Sequence, residues 1–540
     1  MRKRSRRTVP SLWMLGVVLS CCLMEFPSAD AASRRRAMAS PATADWPATS
    51  KETIVDENGI MRTDARHDQA VGMDEKHNKD NGAGDSESSD HEQPQKEFKE
   101  GGYGWVVVIV VFLINFHTWG MNSAYAVFLA YYLTSNAFPG SSAISFAFVG
   151  GLSISIALLL APLATICIRR YGTRACLQIG VVLETAAFIG ASFTSEQWHL
   201  ILSQGIAFGA GMGFLFTGSV GLVPQWFHEK RSLANSIGTS GSGFGGLTYS
   251  LAAHAMIENL GLPWAFRILA ILAFAVNGVC SFLARDRNKE VGAIHQAFHK
   301  DLFKRMELYL YLAWGFFSIL GYIVVVFSLA SYASAVGFTA NQGSIIAAIF
   351  NLSQGLGRPV IGLLSDKVGR INIAALGSLI AGLAAFFLWI FAAKHFAGAI
   401  VYSLFGAFAG CIWPCVAPVA VEVVGLQLLP SVMSITWLVL VLPATFAEVI
   451  GLSLVEPGSD GYLHVQVYTG AMFVSAFAAL WTLRVWKIHM LEVAKLTKEE
   501  GERDIRYADT VGAGTRVSTA NHKSFSMAFA VKACFSLTKV

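Results

Sequence analysis

Long apolar stretches, separated by short polar segments, fill the chain from residue 104 to residue 486. A helix needs about 20 apolar residues to cross the hydrocarbon core of a bilayer, and each stretch has about that length. On this pattern we predict twelve transmembrane helices, near residues 104–132, 142–168, 173–194, 198–225, 232–257, 264–284, 307–333, 340–365, 371–392, 396–425, 428–454 and 462–486. The predicted fold class is an all-α polytopic membrane protein.

The composition agrees with a protein that is surrounded by lipid. Of 540 residues, 54% are hydrophobic and 14% are charged, whereas about 25% of the residues in a soluble domain are charged. The net charge of +5 is small, and the basic residues cluster at the ends of the apolar stretches, which is typical of topology signals. The lipid bilayer is therefore an expected partner and nucleic acid is not. The cysteines mostly lie in apolar stretches and show no paired spacing in any outer loop, so no disulfide framework is predicted.

Basic residues fall at alternate ends of the predicted helices, and the positive-inside rule then places both termini in the cytosol. The longest loop on the basic side, 285–305, separates six helices from six. The predicted domains are a signal-like start and disordered tail (1–100), an N-terminal six-helix bundle (101–284), a cytosolic linker (285–306), a C-terminal six-helix bundle (307–487) and a cytosolic C-terminal tail (488–540).

The first 36 residues have the layout of a secretory signal, with a basic start, an apolar run and small residues after it. A cleaved signal would bring the next helix in from the wrong side. We therefore favour an unusual cytosolic tail or a misassigned start codon. Residues 37–100 are polar and charged, and this composition predicts disorder.

A short charged motif follows the second predicted helix of each half. The motif of the first half, Arg169-Arg170-Tyr-Gly-Thr-Arg174, echoes that of the second, Asp366-Lys367-Val-Gly-Arg370. The first half has Arg169 where the second has Asp366. Two six-helix halves with a shared loop motif indicate the major facilitator fold, in which the solute site lies near the midplane between the halves.

Three passages resemble the monocarboxylate porter family, and most closely its fungal members. They are 100–105 (EGGYGW) before predicted helix 1, 226–238 (WFHEKRSLANSIG) before helix 5, and 357–359 (GRP) in helix 8. The resemblance covers residues 98 to 490 and implies a small organic acid as substrate, with protons as a second partner. Many animal members carry an aspartate and a lysine where this chain has Gln354 and Ser123. In the family these groups are implicated in proton coupling and anion binding, and both positions are neutral in this chain.

Predicted helix 8 carries the first group of candidate substrate-binding residues. Asn351, Gln354 and Arg358 stand at i, i+3 and i+7, so a helix places them on one face. A charge within the membrane is costly and should face protein or a water-filled cavity. The planar guanidinium of Arg358 suits a carboxylate, because it can bind both oxygens. The alternatives are an internal ion pair for Arg358 and helix–helix hydrogen bonds for the two amides.

Predicted helix 1 carries a second group of candidate substrate-binding residues. Its polar residues lie on one stripe and either face the solute path or bond to neighbouring helices; they are Asn115, Thr118, Asn122 and Tyr125. His117 lies off this stripe, and we favour a structural role for it over a titrating one.

Buried acids are the candidate proton carriers, since burial favours the protonated form of a carboxyl group. Glu448 in helix 11 and Glu184 in helix 3 are the two proposed carriers. Glu422, near the inner end of helix 10, is expected to pair with a loop arginine. Asp366, Lys367 and Arg370 are the predicted gating residues, because ion pairs in such a loop can break when the halves move.

Other motifs exclude further classes of function. The glycines of 241–246 fit a dinucleotide-binding pattern but lie in an apolar helix without a preceding strand, so they predict close helix packing. Cys411 and Cys415 have no further ligands nearby in sequence, so no zinc site is expected. We find no cofactor motif, no metal motif and no catalytic constellation. The chain is therefore not expected to be an enzyme.

The sequence thus predicts a secondary active transporter of small organic anions, proton-coupled and working by alternating access. Two alternatives stay open: a transporter of riboflavin or of another larger or secondary metabolite, and a non-transporting nutrient sensor that signals through the N-terminal tail. The plasma membrane is the expected location, with vacuolar and mitochondrial membranes as alternatives. The sequence identifies no accessory subunit.

Overall fold

The computed structural model describes residues 53–55, 61–63, 100–135, 138, 143–456, 461–511 and 538. Within the predicted N-terminal tail it describes two short strands, β1 (Thr53–Val55) and β2 (Met61–Thr63), which pair antiparallel with Thr53 opposite Thr63. The signal-like start lies outside the described residues.

The first half of the membrane domain contains helices α1 to α6, several of which continue through a short break. Their bounds are α1, Gly104–His117 with Trp119–Ser123 and Tyr125–Ser135; α2, Ala143–Leu159 with Ala161–Tyr171; α3, Thr173–Ala191; α4, Gln197–Leu200 with Ile201–Ala207 and Phe208–Val220; α5, Arg231–Leu260; and α6, Leu262–Leu272 with Ala273–Asn277 and Gly278–Leu283. A 3₁₀ turn, Val223–Gln225, follows α4.

The second half contains helices α7 to α12, and another 3₁₀ turn, Lys300–Lys304, lies in the linker before it. The bounds are α7, Met306–Ala335; α8, Ala340–Val368; α9, Arg370–Ala384 with Ala385–Trp389 and Ile390–Lys394; α10, Phe396–Leu404 with Gly406–Ala409 and Ile412–Val424; α11, Leu429–Ser453; and α12, Leu463–Val511. The predicted all-α fold of twelve helices is confirmed. Helix α12 continues well past the apolar stretch that ends near residue 486.

Two helices differ from the rest in composition, and the reason is their position. Among the described residues, nine helices are long and apolar enough to span a membrane, and the bent pair in α2 makes ten. The two outside that set are α5 and α8, which are rich in glycine, serine and amide residues. These two helices pack against each other between the halves. Because protein surrounds much of their surface, they do not need an apolar face toward lipid all round.

Glycines allow the close approach of α5 to its neighbours on two sides. A β-carbon at Gly243 would lie 2.6 Å from the backbone nitrogen of Gly355 in α8. One at Gly241 would collide with the carbonyl of Phe112 in α1, and one at Gly245 with that of Phe116. The prediction that the glycines of 241–246 serve close helix packing is confirmed.

The halves also meet along α2 and α11 and along α5 and α10. Ser155 of α2 and Thr445 of α11 share a hydrogen bond of 2.7 Å, and the side-chain amide of Asn235 in α5 donates to the carbonyl of Pro414 in α10 at 2.9 Å. The contact between halves therefore runs from the middle of the bundle to the end that carries the linker. We call this end the linker side.

Candidate functional site

Arg358 of α8 lies buried between the two halves, with 3% of its surface exposed. Its Nη1 donates to the carbonyl of Thr239 at 2.6 Å and to Oγ of Ser242 at 2.5 Å, both in α5. No carboxylate within the described chain forms an ion pair with it. The alternative of an internal ion pair thus finds no partner among these residues, and the charge is held by neutral oxygens.

Gln354 lies one turn before Arg358 and belongs to the same cluster. Its Oε1 accepts from Nη2 of Arg358 at 2.8 Å and from the hydroxyl of Tyr322 in α7 at 3.0 Å. Asn351 lies one further turn away and is half-buried. Its side-chain Cγ would be 3.9 Å from a β-carbon at Gly246 of α5. The structure therefore joins Arg358 and Gln354 directly and places Asn351 farther along the contact between α5 and α8.

The polar stripe of α1 is placed differently, since its hydrogen bonds stay within the first half. Asn115 donates to the carbonyl of Val111 at 2.8 Å and Thr118 to that of Ile114 at 2.6 Å, so both satisfy their own helix. The other two stripe residues bond to α2: Asn122 accepts from Ser153 at 2.8 Å and Tyr125 donates to the carbonyl of Phe146 at 2.5 Å. None of these bonds reaches α8.

A small cavity lies beside the far end of this stripe. Its volume is about 20 Å³, which is enough for a water molecule. Its polar lining comes from Asn122, Tyr125, Ser153 and Gln204. This cavity lies within the first half, so the stripe residues that line it are placed to hold water between helices of one bundle.

Five aromatic side chains that the sequence analysis missed lie beside the Arg358 site. Two come from the first half, Trp119 and Phe216, and three from the second, Tyr322, Trp413 and Trp437. We call these five residues the aromatic cluster. They come from α1, α4, α7, α10 and α11, so no spacing along the chain could have grouped them.

The buried acids occupy three different environments. Glu184 is fully buried in the first half and accepts from the side chain of Asn277 at 2.8 Å. Glu448 is half-buried in α11, which packs against α2 of the first half. Glu422 pairs with Arg370, as expected.

His117 is buried and its Nδ1 lies 2.5 Å from the hydroxyl of Tyr249, which agrees with a structural role.

Two carboxylates converge on the N-terminus of α5. Asp366, at the end of α8, accepts from the backbone nitrogens of Ser232 at 2.9 Å and Leu233 at 2.8 Å. Glu100, before α1, accepts from that of Lys230 at 2.8 Å. The first turn of a helix has unpaired N–H groups and a partial positive charge, so both carboxylates stabilise it. Asp366 does so across the boundary between the halves.

Arg370 extends this contact into an ion-pair network. It pairs with Glu422 of α10 and lies 3.6 Å from Asp366, and its Nη2 donates to the carbonyl of His228 at 2.7 Å. We call the contact of Asp366 and Arg370 with residues 228–233, together with the ion pair of Arg370 and Glu422, the latch. Lys367, the third predicted gating residue, is exposed and forms no hydrogen bond or ion pair within the described chain.

The corresponding contact of the first half is made by the linker. Arg169 and Arg170 are exposed. Near the start of α11, the backbone nitrogen of Ile294 donates to the carbonyl of Gln427 at 2.8 Å, and Ser431 donates to the carbonyl of Ile294 at 2.9 Å. On its other side, the linker is bonded to the first half: Gln225 accepts from the backbone nitrogen of Arg287 at 2.7 Å and donates to Asn288 at 2.9 Å.

His295, the linker residue after Ile294, is half-buried beside a cavity of about 30 Å³. Thr217 of α4 and Met433 of α11 line the same cavity, so it lies between the halves. Burial lowers the pKa of His295, and nearby Arg169 lowers it further, whereas Asp286 opposes the shift.

The first two motifs of the resemblance pack against each other. Gly101, with a φ of +86°, donates its N–H to the carbonyl of Trp226 at 3.4 Å. The rings of Tyr103 and Trp226 lie 5.9 Å apart, and Trp105 packs edge-on against Phe227 at 5.0 Å. The two motifs therefore form one structural unit at the linker side, next to the latch.

A buried cationic site between two six-helix halves, with a breakable contact at one end, is the architecture of a secondary transporter. Comparison with known proteins agrees. The family model described as "Major Facilitator Superfamily" matches residues 107–448 and 311–507. This chain belongs to the Major Facilitator Superfamily and is a multi-pass membrane transporter; its relatives are named transporters and are not enzymes.

Similar proteins with curated names include two transporters of a yeast. "Probable transporter MCH2" of Saccharomyces cerevisiae is 33% identical over 406 residues, which cover 74% of this chain and 86% of that protein. "Uncharacterized transporter ESBP6" of the same yeast is 33% identical over 422 residues, 74% of this chain and 61% of its own length. The prediction of a fungal-type member of the superfamily is confirmed.

Two solved structures share the fold. The transporter FucP, crystallised in an outward conformation, aligns with a TM-score of 0.56 at 13% identity over 70% of this chain and 99% of its own. The proton:xylose symporter XylE, bound to 6-bromo-6-deoxy-D-glucose, aligns with a TM-score of 0.58 at 15% identity over 70% of this chain and 95% of its own. This likeness concerns the fold alone.

Proposed function

We propose that this transporter carries small organic anions and that Arg358 binds the carboxylate of the substrate. The observation that carries the proposal is a buried guanidinium at the boundary between the halves, held by neutral oxygens of both halves. A charge at this depth is costly unless it is paired. A carboxylate would supply the opposite charge that the described protein does not.

The contacts of Arg358 suit an exchange of partners. Thr239 and Ser242 belong to one half, and Gln354 to the other. A carboxylate can take both oxygens into the fork of the guanidinium, in place of weaker neutral acceptors. Since the neutral contacts bridge the halves, substrate binding would change the free energy of the contact between α5 and α8.

Alternating access requires the halves to separate at the linker side, which the positive-inside rule places in the cytosol. The latch must then break, so Asp366 would leave the N-terminus of α5 and Arg370 would leave the carbonyl of His228. Lys367 would remain in solvent throughout. We propose that the latch is the gate of the transporter. The plasma membrane is the expected location of the protein.

Proton coupling is the default mechanism for moving an acid against its gradient. Glu448 is the favoured carrier, because it lies on α11, a helix that packs against α2 of the other half. Glu184 lies inside the first bundle, bonded to Asn277, and is the second candidate.

Uptake into proteoliposomes tests the proposal. The labelled panel is lactate, pyruvate, a larger aromatic acid and riboflavin, each with and without an inward proton gradient. The variants are Arg358→Ala and Arg358→Lys, which keeps the charge but loses the fork. Arg267→Lys is the matched control, since Arg267 lies over the rings of Phe193 and Trp264, away from the site.

We expect acid uptake that is lost in Arg358→Ala, strongly reduced in Arg358→Lys and unchanged in Arg267→Lys. Riboflavin uptake without acid uptake, or acid uptake that does not depend on Arg358, would contradict the proposal. Acid uptake that does not depend on the proton gradient would contradict proton coupling but not the role of Arg358 in binding the acid.

A further inference from the structure

The aromatic cluster bridges the two halves next to the arginine site. Trp119 of the first half lies 5.2 Å from Trp413 of the second, between ring centroids. Phe216 of the first half lies 4.9 Å from Trp437 of the second. These separations fall in the range in which aromatic rings attract one another. The halves are therefore joined here by ring–ring contacts that have to part when the path opens.

Tyr322 links this cluster to Arg358. Its ring lies 6.0 Å from that of Trp413, and its hydroxyl donates to Gln354, which in turn accepts from Arg358. A ligand whose carboxylate binds Arg358 would therefore lie next to the aromatic cluster, and the rest of the ligand could contact its rings. Trp119, Tyr322 and Trp413 are only half-buried, so their faces are partly open to such a ligand.

Three N–H groups at this place lack an acceptor. Nε1 of Trp119, Nε1 of Trp437 and Nε of Arg358 are all buried and have no hydrogen-bond partner within the described chain. Trp437 as a whole has 0% of its surface exposed. Buried donors are rarely left without a partner. A purely apolar gate could be built from phenylalanine or leucine and would leave no donor unsatisfied.

We infer that the substrate carries a flat aromatic or conjugated ring in addition to its carboxylate. The carboxylate lies on Arg358, and the ring takes the place of the contact between Trp119 and Trp413. Oxygen atoms of the substrate accept from the indole N–H groups. This inference rests on the proposed function and narrows it from organic anions in general to arylalkanoic and related acids.

The test compares acids that differ only in the ring. Propionate, 3-phenylpropionate and 3-cyclohexylpropionate share one carboxylate and chain, and the last has a ring of similar size without π electrons. Their equilibrium binding and uptake are measured with the full-length protein in proteoliposomes. We expect the phenyl acid to bind about three- to tenfold more tightly than its cyclohexyl analogue, and propionate to bind least.

Three tryptophan variants locate the effect. Trp413→Leu should abolish the preference for phenyl over cyclohexyl. Trp437→Phe keeps a ring but removes the N–H, so it should weaken binding of acids with an additional ring oxygen, such as 3-(4-hydroxyphenyl)propionate. Trp389→Phe is the matched control, because Trp389 of α9 is equally buried and its Nε1 also lacks a partner, but it packs on Tyr332 and Tyr402 outside the cluster.

The outcomes separate this inference from the proposed function. A phenyl preference that Trp413→Leu removes and Trp389→Phe keeps supports the inference. Uptake of short aliphatic acids that depends on Arg358, with no preference for a ring, overturns the inference and leaves the proposed function standing. Failure to transport any carboxylate overturns both.

Discussion

The linker side of the molecule holds two versions of one contact. In the second half, the motif of residues 366–370 places Asp366 on the N-terminus of α5 and ties Arg370 to Glu422. In the first half, the corresponding motif has Arg169 at that place, exposed. There the linker bonds to the start of α11 through the backbone of Ile294.

The difference shows how one substitution in a repeated motif changes the way a gate is built. A carboxylate at a helix N-terminus is stabilised by unpaired N–H groups and by the helix dipole, whereas a guanidinium there would be repelled. The first half therefore closes with neutral bonds from a separate segment. We expect the latch of the second half to hold most of the free energy of closure.

The largest effect is expected from Gly243→Val, which prevents the close packing of the halves on which the latch and the contact of the linker with α11 both depend. A β-carbon here would lie 2.6 Å from the backbone of Gly355, so α5 and α8 could not close. Uptake should fall below detection at unchanged protein level in the membrane. The control is Gly278→Val, because a β-carbon at Gly278 in α6 would meet nothing within 4 Å. Equal loss in both variants would show a general folding defect instead.

The next largest effect is expected from Asp366→Asn, which weakens the latch but leaves the neutral contact of the linker with α11 unchanged. Charge-assisted hydrogen bonds contribute about 1.5–3 kcal/mol each, so closure at the linker side should weaken by at least tenfold. A substrate-binding assay at the linker side should show higher occupancy of the open state. Glu258→Gln is the control, since Glu258 is exposed near the other end of α5 and pairs with His254 of the same helix. Equal behaviour of the two variants would contradict the latch.

A smaller effect is expected from Arg169→Asp, which gives the first-half motif an aspartate at the position that Asp366 occupies in the second-half motif. A carboxylate at this position could reach the first turn of α11 and stabilise closure by about 0.3–1 kcal/mol. Transport should slow by about two- to fivefold, and the effect should weaken at high salt. The rate of uptake against ionic strength measures it; no change at low salt would mean that the first-half loop does not approach α11.

The smallest effect concerns pH and the linker. Burial lowers the pKa of His295 in the closed state, and release into water would return it to about 6.5. The open state then binds the proton more readily, so closure is stable above about pH 6.5 and weakens as the pH falls below it. Opening should increase modestly at pH 5.5 on the linker side, and His295→Ala should remove that dependence. An unaltered pH profile in the variant would exclude His295 as the source.

Much of the fold could be predicted from the sequence, because apolar length and loop charge are local properties. The pairing of Arg358 with Gln354 also follows from spacing, since residues four apart on a helix are neighbours. The stripe of α1 shows where this reasoning ends. Spacing groups Asn115 with Tyr125, but it does not reveal that Asn115 bonds to its own helix and Tyr125 to α2.

Long-range contacts account for what could not be predicted. Asp366 and Ser232 lie 134 residues apart, and no local pattern relates them. The aromatic cluster collects single residues from five helices, each of which is ordinary in a membrane segment. The bond between the linker and Gln427 depends on backbone atoms, which carry no signal in the side-chain sequence.

The central claim is that the arginine site lies between the halves and is closed on the linker side by the latch. The direct measurement is the reaction of a cysteine at position 242, whose native serine oxygen lies 2.5 Å from Nη1 of Arg358. A membrane-impermeant thiol reagent is applied from the linker side, in a chain whose eight native cysteines are replaced by alanine and which retains uptake. We predict slow labelling with Asp366 in place, at least tenfold faster labelling with Asp366→Asn, and protection by an acid substrate. Equal labelling with and without Asp366, or labelling that no acid slows, would contradict the account.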